Sequence, residues 1–185
     1  MMSKDIREIL QAFNAHGVRY LVVGGFAFGA YSEPRTTKDI DLWIRTDAEN
    51  AKAVFAAQAE LGAPFAGMGP ADFTDGTVFH FGQPPNRVDI LWKVDGVSFD
   101  DAWANRVEGT IEGAVPSQII SRGDLIRNKL ASGREQDLLD VKVLRAAEKA
   151  VRSGSAQSKN QGREPYRRAR SAVAEDIRVH SYAKV

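Results

Sequence analysis

The stretch Asp39-Ile40-Asp41-Leu42-Trp43-Ile44 alternates with the period of a β-strand. Residues two apart on a strand point to the same face, roughly 6.6–6.8 Å apart along the chain. Asp39 and Asp41 therefore share one face, and Ile40, Leu42 and Ile44 share the other. The apolar face must pack in a core, which leaves two carboxylates side by side on the opposite surface. Carboxylates that close repel unless they are protonated or bridged by a cation. Oxygen-only ligation favours a hard ion such as magnesium, completed by water and substrate phosphates. Aspartate is also a poor strand former, so two of them in one short strand want a reason.

A second strand repeats the pattern. In Arg87-Val88-Asp89-Ile90-Leu91-Trp92, Val88, Ile90 and Trp92 fall on one face and Asp89 on the other. If the two strands are neighbours, three carboxylates converge. A pair of metals held about 3.5–4 Å apart could then activate an attacking oxygen and stabilise a leaving phosphate. Upstream, Tyr20-Leu-Val-Val23 reads as a short buried strand that ends at Gly24-Gly25. Small residues between a strand and a helix let backbone N–H groups approach an anion. A tight turn alone would explain the pair equally well, but its place about fourteen residues before Asp39 adds weight. Strand, Gly-Gly, helix, basic loop and Asp-x-Asp strand form an ordered series that chance seldom assembles.

The remaining elements follow from periodicity. Ile6, Ile9, Leu10 and Phe13 fall at i, i+3, i+4 and i+7, an amphipathic helix that ends near His16-Gly17. A helix is expected over 26–32, stopped before Pro34, and an alanine-rich one capped by Asp47 runs to about Leu61. Residues 62–76 read as a Gly/Pro loop, 77–81 and 87–92 as strands joined by a turn at 82–86, and 100–106 as a short helix. Ser121 opens a later helix, with Asp124 in the capping-box position. After Gly133 a last helix is expected over 135–149, with Leu138, Val141 and Leu144 on its buried face. The expected fold class is α+β, a mixed sheet flanked by helices with a helical C-terminal part. The expected organisation is a core over 1–115, C-terminal helices over 116–150, and a basic, flexible tail over 151–185.

Composition sets the outer bounds. A chain of 185 residues, 43% hydrophobic, can bury one core of ordinary size. It has no cysteine, which removes disulfides, thiolate metal sites and a Cys nucleophile. No apolar run is long enough to span a membrane, and the polar N-terminus lacks the apolar core of a secretory signal. A cytoplasmic protein with no membrane partner is the resulting expectation. The net charge of +1 hides an asymmetry: residues 151–185 carry eight Lys/Arg and three Asp/Glu, against 17 and 21 in the 150 before them. The first half of that tail has too few large apolar residues to offset its ordering entropy. The stretch from Arg167-Arg-Ala-Arg170 onward reads either as a solvated tail or as a short helix that touches RNA or DNA.

Four motifs in order, Val18-Arg-Tyr-Leu-Val-Val-Gly-Gly25, Arg35-Thr-Thr-Lys-Asp-Ile-Asp-Leu42, Arg87-Val-Asp-Ile-Leu91, and Asp124-Leu-Ile-Arg-Asn-Lys129 with Gly133-Arg-Glu-Gln-Asp-Leu-Leu-Asp140, carry a resemblance. The chain resembles the nucleotidyltransferase superfamily that includes DNA polymerase beta, and within it the bacterial AbiEii-like and DUF6036-type proteins, several of which are toxins of toxin–antitoxin pairs. The likeness covers about residues 18–148 and implies a nucleotidyltransferase fold. By that resemblance Asp39, Asp41 and Asp89 would be the catalytic, metal-holding carboxylates, for Mg2+ or Mn2+, with Asp89 as base for an acceptor hydroxyl. Gly24 and Gly25 would cradle the phosphates of an NTP, Arg35 and Thr37 would lie at the pocket mouth, and Lys129 would reach the triphosphate. Arg134, Asp137 and Asp140 would support them, and a surface ion-pair network is the alternative for these last four. A bound triphosphate needs cations beyond the metals. His80, between Phe79 and Phe81, is read as structural, and Trp43 and Trp92 as packing residues rather than base stackers.

The function this implies is metal-dependent transfer of an NMP from an NTP to an acceptor hydroxyl on RNA, protein or a small molecule, with an antitoxin as an implied partner. Two alternatives belong to other classes. One is a non-catalytic binding or regulatory protein of the same fold, which the presence of all three carboxylates disfavours. The other is a phosphohydrolase that uses the same metals with water as nucleophile.

Overall fold

In the computed structural model the described residues are 4–33, 37, 39–62, 67–74, 76, 78–82, 87–111 and 115–158. Helix α1 (Lys4–Ala15) is followed by strand β1 (Tyr20–Val23), helix α2 (Gly24–Gly29), strand β2 (Asp39–Ile44) and helix α3 (Ala48–Glu60). A 3-10 turn (Pro70–Phe73) precedes strands β3 (Phe79–Phe81) and β4 (Arg87–Leu91), helix α4 (Phe99–Ala104), strands β5 (Val107–Ile111) and β6 (Val115–Ile119), and helices α5 (Arg122–Ser132) and α6 (Glu135–Ser158). The fold is α+β: a six-stranded mixed sheet, in the order β3-β4-β2-β1-β6-β5, flanked by helices. Among the described residues no helix is long and apolar enough to cross a membrane.

Alternation divides the sheet as its residues dictate. Ile40, Leu42 and Ile44 of β2, Val88 and Ile90 of β4, and Tyr20 and Val22 of β1 are all buried on one face. On that side α1 and α3 pack together, and Phe13 meets the Tyr20 ring edge-on at 5.5 Å. On β2 the opposite face is apolar at one end only. There Trp43 is buried, its Nε1 donates to the Trp92 carbonyl at 3.2 Å, and its ring meets Phe99 of α4 at 5.0 Å. Trp43 is thus core. At the other end of the same face stand Asp39 and Asp41.

Polar side chains fix the ends of the central strands. Buried Asn50 accepts from the Arg19 N–H at 2.7 Å and donates to the carbonyls of Arg19 (3.1 Å) and Arg45 (2.7 Å). It thereby ties the entrance of β1 to the exit of β2 while α3 starts on the Asp47 cap, which accepts from Asn50 N–H. Ser121 caps α5 by accepting from Asp124 N–H, and Gly133 ends it in the left-handed conformation.

Several expectations need correction. The helix expected over 26–32 begins at Gly24 and ends at Gly29, so the glycine pair opens the helix rather than preceding it. Thr77, residues 83–86 of the expected turn, and residues 63–66 and 75 of the expected 62–76 loop lie outside the described residues, and the 3-10 turn forms within the rest of that loop. The hairpin of β5 and β6 was not expected at all. Pro116 lacks the N–H that a central strand needs, and it is tolerated because β1 pairs with β6 only at the far end, Val22 opposite Ile119. β6 joins the sheet across the expected 115/116 boundary. Leu138 is 43% exposed, while Val141 and Leu144 are buried as expected. The inward face of α6 is shifted toward Asp137 and Asp140, which serve Lys129. Finally, α6 runs past Lys149 to Ser158; the rest of the tail, with Arg167 to Arg170, lies outside the described residues.

Candidate functional site

β2 and β4 are neighbours and run parallel, with Asp41 opposite Asp89 and Asp39 opposite Arg87. Adjacent strands lie about 4.8 Å apart, so the register sets Asp41 and Asp89 side by side on the face that Asp39 shares. β1 flanks them on the other side with Val23 opposite Asp41, and α2 starts at the next residue. The expected convergence of three carboxylates is therefore present in the described chain.

The Gly-Gly pair closes over them. Gly24 has φ +62, a conformation that L side chains rarely adopt, and a Cβ there would sit 2.0 Å from Asp41 Oδ2. A Cβ on Gly25 would sit 2.8 Å from Thr37 Oγ1, whose hydroxyl donates to the Asp39 carbonyl at 3.2 Å. Backbone thus takes the place of side chain against Asp41 and against Thr37. Arg35, expected at the same mouth, lies outside the described residues.

Two residues not expected in the site complete it. Arg87 Nη2 donates to Asp89 Oδ2 at 2.9 Å and also lies 3.0 Å from Asp39 Oδ2, while Nε is 2.7 Å from Asp89 Oδ1. The two-residue rule that pairs Asp39 with Asp41 applies equally to Arg87 and Asp89, and it was the available signal. His80 stands opposite Asp89 in the β3–β4 pairing, and its Nδ1 donates to Asp89 Oδ1 at 2.7 Å. Buried Asp89 is held from two sides; Asp39 Oδ1, although buried, has no hydrogen-bond partner.

The electrostatics reflect this imbalance. Burial pushes the Asp41 carboxyl up from 3.8 to about 6, and the charges of Asp89 and Asp39 add to the rise; Arg87 and Arg134 oppose it. One guanidinium does not neutralise three carboxylates. Arg134 is highly exposed, with Nε donating to Ser132 Oγ at 2.9 Å, and its charge counts with that of Arg87 in lowering the Asp41 pKa.

Lys129 is placed differently from the other candidates. It is 4% exposed, and its ammonium donates to Asp137 at 2.8 Å and Asp140 at 2.7 Å, 6.0 Å from the centre of the Phe28 ring in α2. Asp137 also accepts from Ser132, and Asp140 from Gln136. Burial raises the Asp137 carboxyl, but the hydrogen bonds from Lys129 and Ser132 outweigh it and hold the pKa below the ordinary range. The arrangement locks α5 to α6 beneath α2, and it commits two of the three ammonium protons within the protein.

Among the described residues no group of three His, Asp or Glu side chains is set to hold a metal ion as it stands, and Arg87 bridges Asp39 and Asp89. The donors nevertheless suit a hard divalent cation: three carboxylates on one face, one buried oxygen without a donor, and a carboxyl raised by its neighbours' charge. Compared with protein-family models and with curated proteins, the chain finds no match in either.

Proposed function

We propose that the protein is a metal-dependent nucleotidyltransferase, which moves an NMP from an NTP to an acceptor hydroxyl. The observation that carries this reading is the in-register placement of Asp41 beside Asp89, with Asp39 on the same face and the Gly24 backbone packed against Asp41. The nucleotidyltransferase-like order of motifs supports it. Magnesium or manganese, when bound, would supply charge neutralisation for the transferring phosphate and a lowered pKa for the acceptor oxygen. Asp39, Asp41 and Asp89 are the residues that would hold it. Asp89, oriented by His80, would take the acceptor proton, and Gly24 and Gly25, which leave backbone rather than side chain beside Asp41 and Thr37, would face the phosphates. Thr37 borders that side, and Arg134 is the exposed cation nearest in effect to Asp41. Lys129, Asp137 and Asp140 hold the corner that carries Arg134.

The test is incubation with magnesium and each alpha-labelled NTP, alone and with total tRNA, beside Asp41→Asn. Label transferred to an acceptor by the parent protein and not by the variant is the expected result. Label released as free nucleotide would make the protein a phosphohydrolase. The Arg87 bridge favours one other reading, a nucleotide-binding protein without turnover, since it neutralises part of the cluster without a metal. Tight NTP binding with no chemistry under any condition would establish that reading. An antitoxin partner accompanies the proposal through the same resemblance, and a cytoplasmic setting through the polar N-terminus and the lack of a long apolar run.

A further inference from the structure

We propose that Arg87 is a resident counter-cation of the carboxylate cluster, which leaves Asp39 and Asp89 when a divalent cation enters. The inference rests on the metal-dependent reading above and concerns how that site is kept in the metal-free protein.

Arg87 and Asp89 lie two apart on β4, so their side chains rise from one face, and Asp39 is the cross-strand partner of Arg87. The guanidinium consequently spans both strands: Nη2 donates to Asp89 Oδ2 at 2.9 Å and lies 3.0 Å from Asp39 Oδ2, while Nε lies 2.7 Å from Asp89 Oδ1 without making a hydrogen bond. These are the oxygens a shared metal would take. A guanidinium is a planar fork of fixed reach; it meets two of the three acids and leaves buried Asp39 Oδ1 without a donor. A dication placed among the three would carry more charge to the same oxygens from a shorter distance. It would also repel the arginine, whose positive charge stands within contact of the same ligands.

The exchange is sterically open. Arg87 is 35% exposed, against 10% for the Asp89 side chain, so the long arm has solvent to swing into while the acid stays buried. Asp89 does not lose its orientation when the arm departs, because His80 on β3 still donates to Oδ1. Arg87 thus keeps like charges from splaying apart in the empty site, and His80 keeps the ligand aimed while the site fills.

The test uses the full chain stripped with EDTA and Mn2+ as the probe, with free Mn2+ followed by electron paramagnetic resonance and the binding isotherm by calorimetry at pH 7.5. Arg87→Met is expected to bind Mn2+ on the order of tenfold more tightly than the parent, since a competing charge is gone. Arg87→Lys, which keeps the charge and loses the fork, is expected to fall between them. Circular dichroism checks that each variant is folded. Independently of any variant, the Arg87 Nε–H resonance of the parent protein should shift and exchange faster with water as Mg2+ is added. Equal or weaker Mn2+ binding by Arg87→Met, or an Arg87 resonance indifferent to saturating Mg2+, overturns the proposal and leaves the metal reading intact. Absence of Mn2+ binding in both parent and Arg87→Met removes the metal reading itself, and the proposal with it.

Discussion

Replacing Asp41 with asparagine in the metal-free protein is expected to raise its stability at neutral pH, the opposite of what most changes at a packed site do. Burial, with Asp89 and Asp39 adding to it, lifts the Asp41 pKa from 3.8 to about 6. A carboxyl raised in this way binds its proton more tightly folded than unfolded. Its ionised form therefore destabilises the fold: nothing is lost below pH 3.8, stability falls as pH rises toward 6, and the full deficit stands above that. At about 1.4 kcal/mol for each tenfold in proton affinity, the deficit at pH 7.5 is roughly 3 kcal/mol. Asparagine keeps the shape and removes the charge, so urea unfolding in EDTA at pH 7.5 should show Asp41→Asn more stable by up to about that amount. At pH 5, where folded Asp41 is largely protonated already, roughly half the difference should remain. A variant no more stable than the parent at pH 7.5, or a gain that fails to shrink at pH 5, refutes the electrostatic account. The same variant should lose nucleotide transfer, and its stability removes unfolding as the explanation.

Gly24→Ala should lower stability by at least about 1–2 kcal/mol from its left-handed backbone alone, and weaken Mn2+ binding because the new Cβ would stand 2.0 Å from Asp41 Oδ2 and displace that carboxylate; urea titration and paramagnetic resonance read the two effects. Lys129→Met leaves Asp137 and Asp140 buried together without their cation. A loss of about 3–5 kcal/mol is expected by chemical denaturation, and an unchanged midpoint would contradict the network. Asn50→Ala removes three hydrogen bonds that pin β1 to β2, and a loss of about 3 kcal/mol is expected in the same assay.

The central strands were legible because burial imposes a period of two on their residues. Asp39, Asp41 and Asp89 fall on the face opposite Ile40, Leu42, Val88 and Ile90 by the same argument, although Asp89 is itself buried on that face. Asp47, Ser121 and Gly133 were legible as helix ends because caps act within a turn. What escaped was decided by partners distant in sequence. Arg87 shares the face of Asp89 by the same period of two, but its reach to Asp39, and the approach of His80 to Asp89, depend on cross-strand pairing, which no local pattern announces. The β5–β6 hairpin was hidden by Pro116, harmless only where β6 extends beyond β1. Leu138 looked like a core position until the buried Lys129–Asp137–Asp140 contacts rotated α6 away from it.

The parallel pairing of β2 with β4 joins segments separated by α3, the 3-10 turn and β3, so no tight turn sets its alignment. In folding, that leaves the side chains to choose the correct match. A slip of one residue would turn Asp89 into the layer of Ile40 and Leu42, where a carboxylate has no water and no partner. A slip of two would keep every face correct and yet part Asp89 from Asp41. The charged end of the sheet thus bears on strand alignment in two ways: burial of a carboxylate opposes a slip of one, and loss of the Arg87 contact with Asp39 opposes a slip of two.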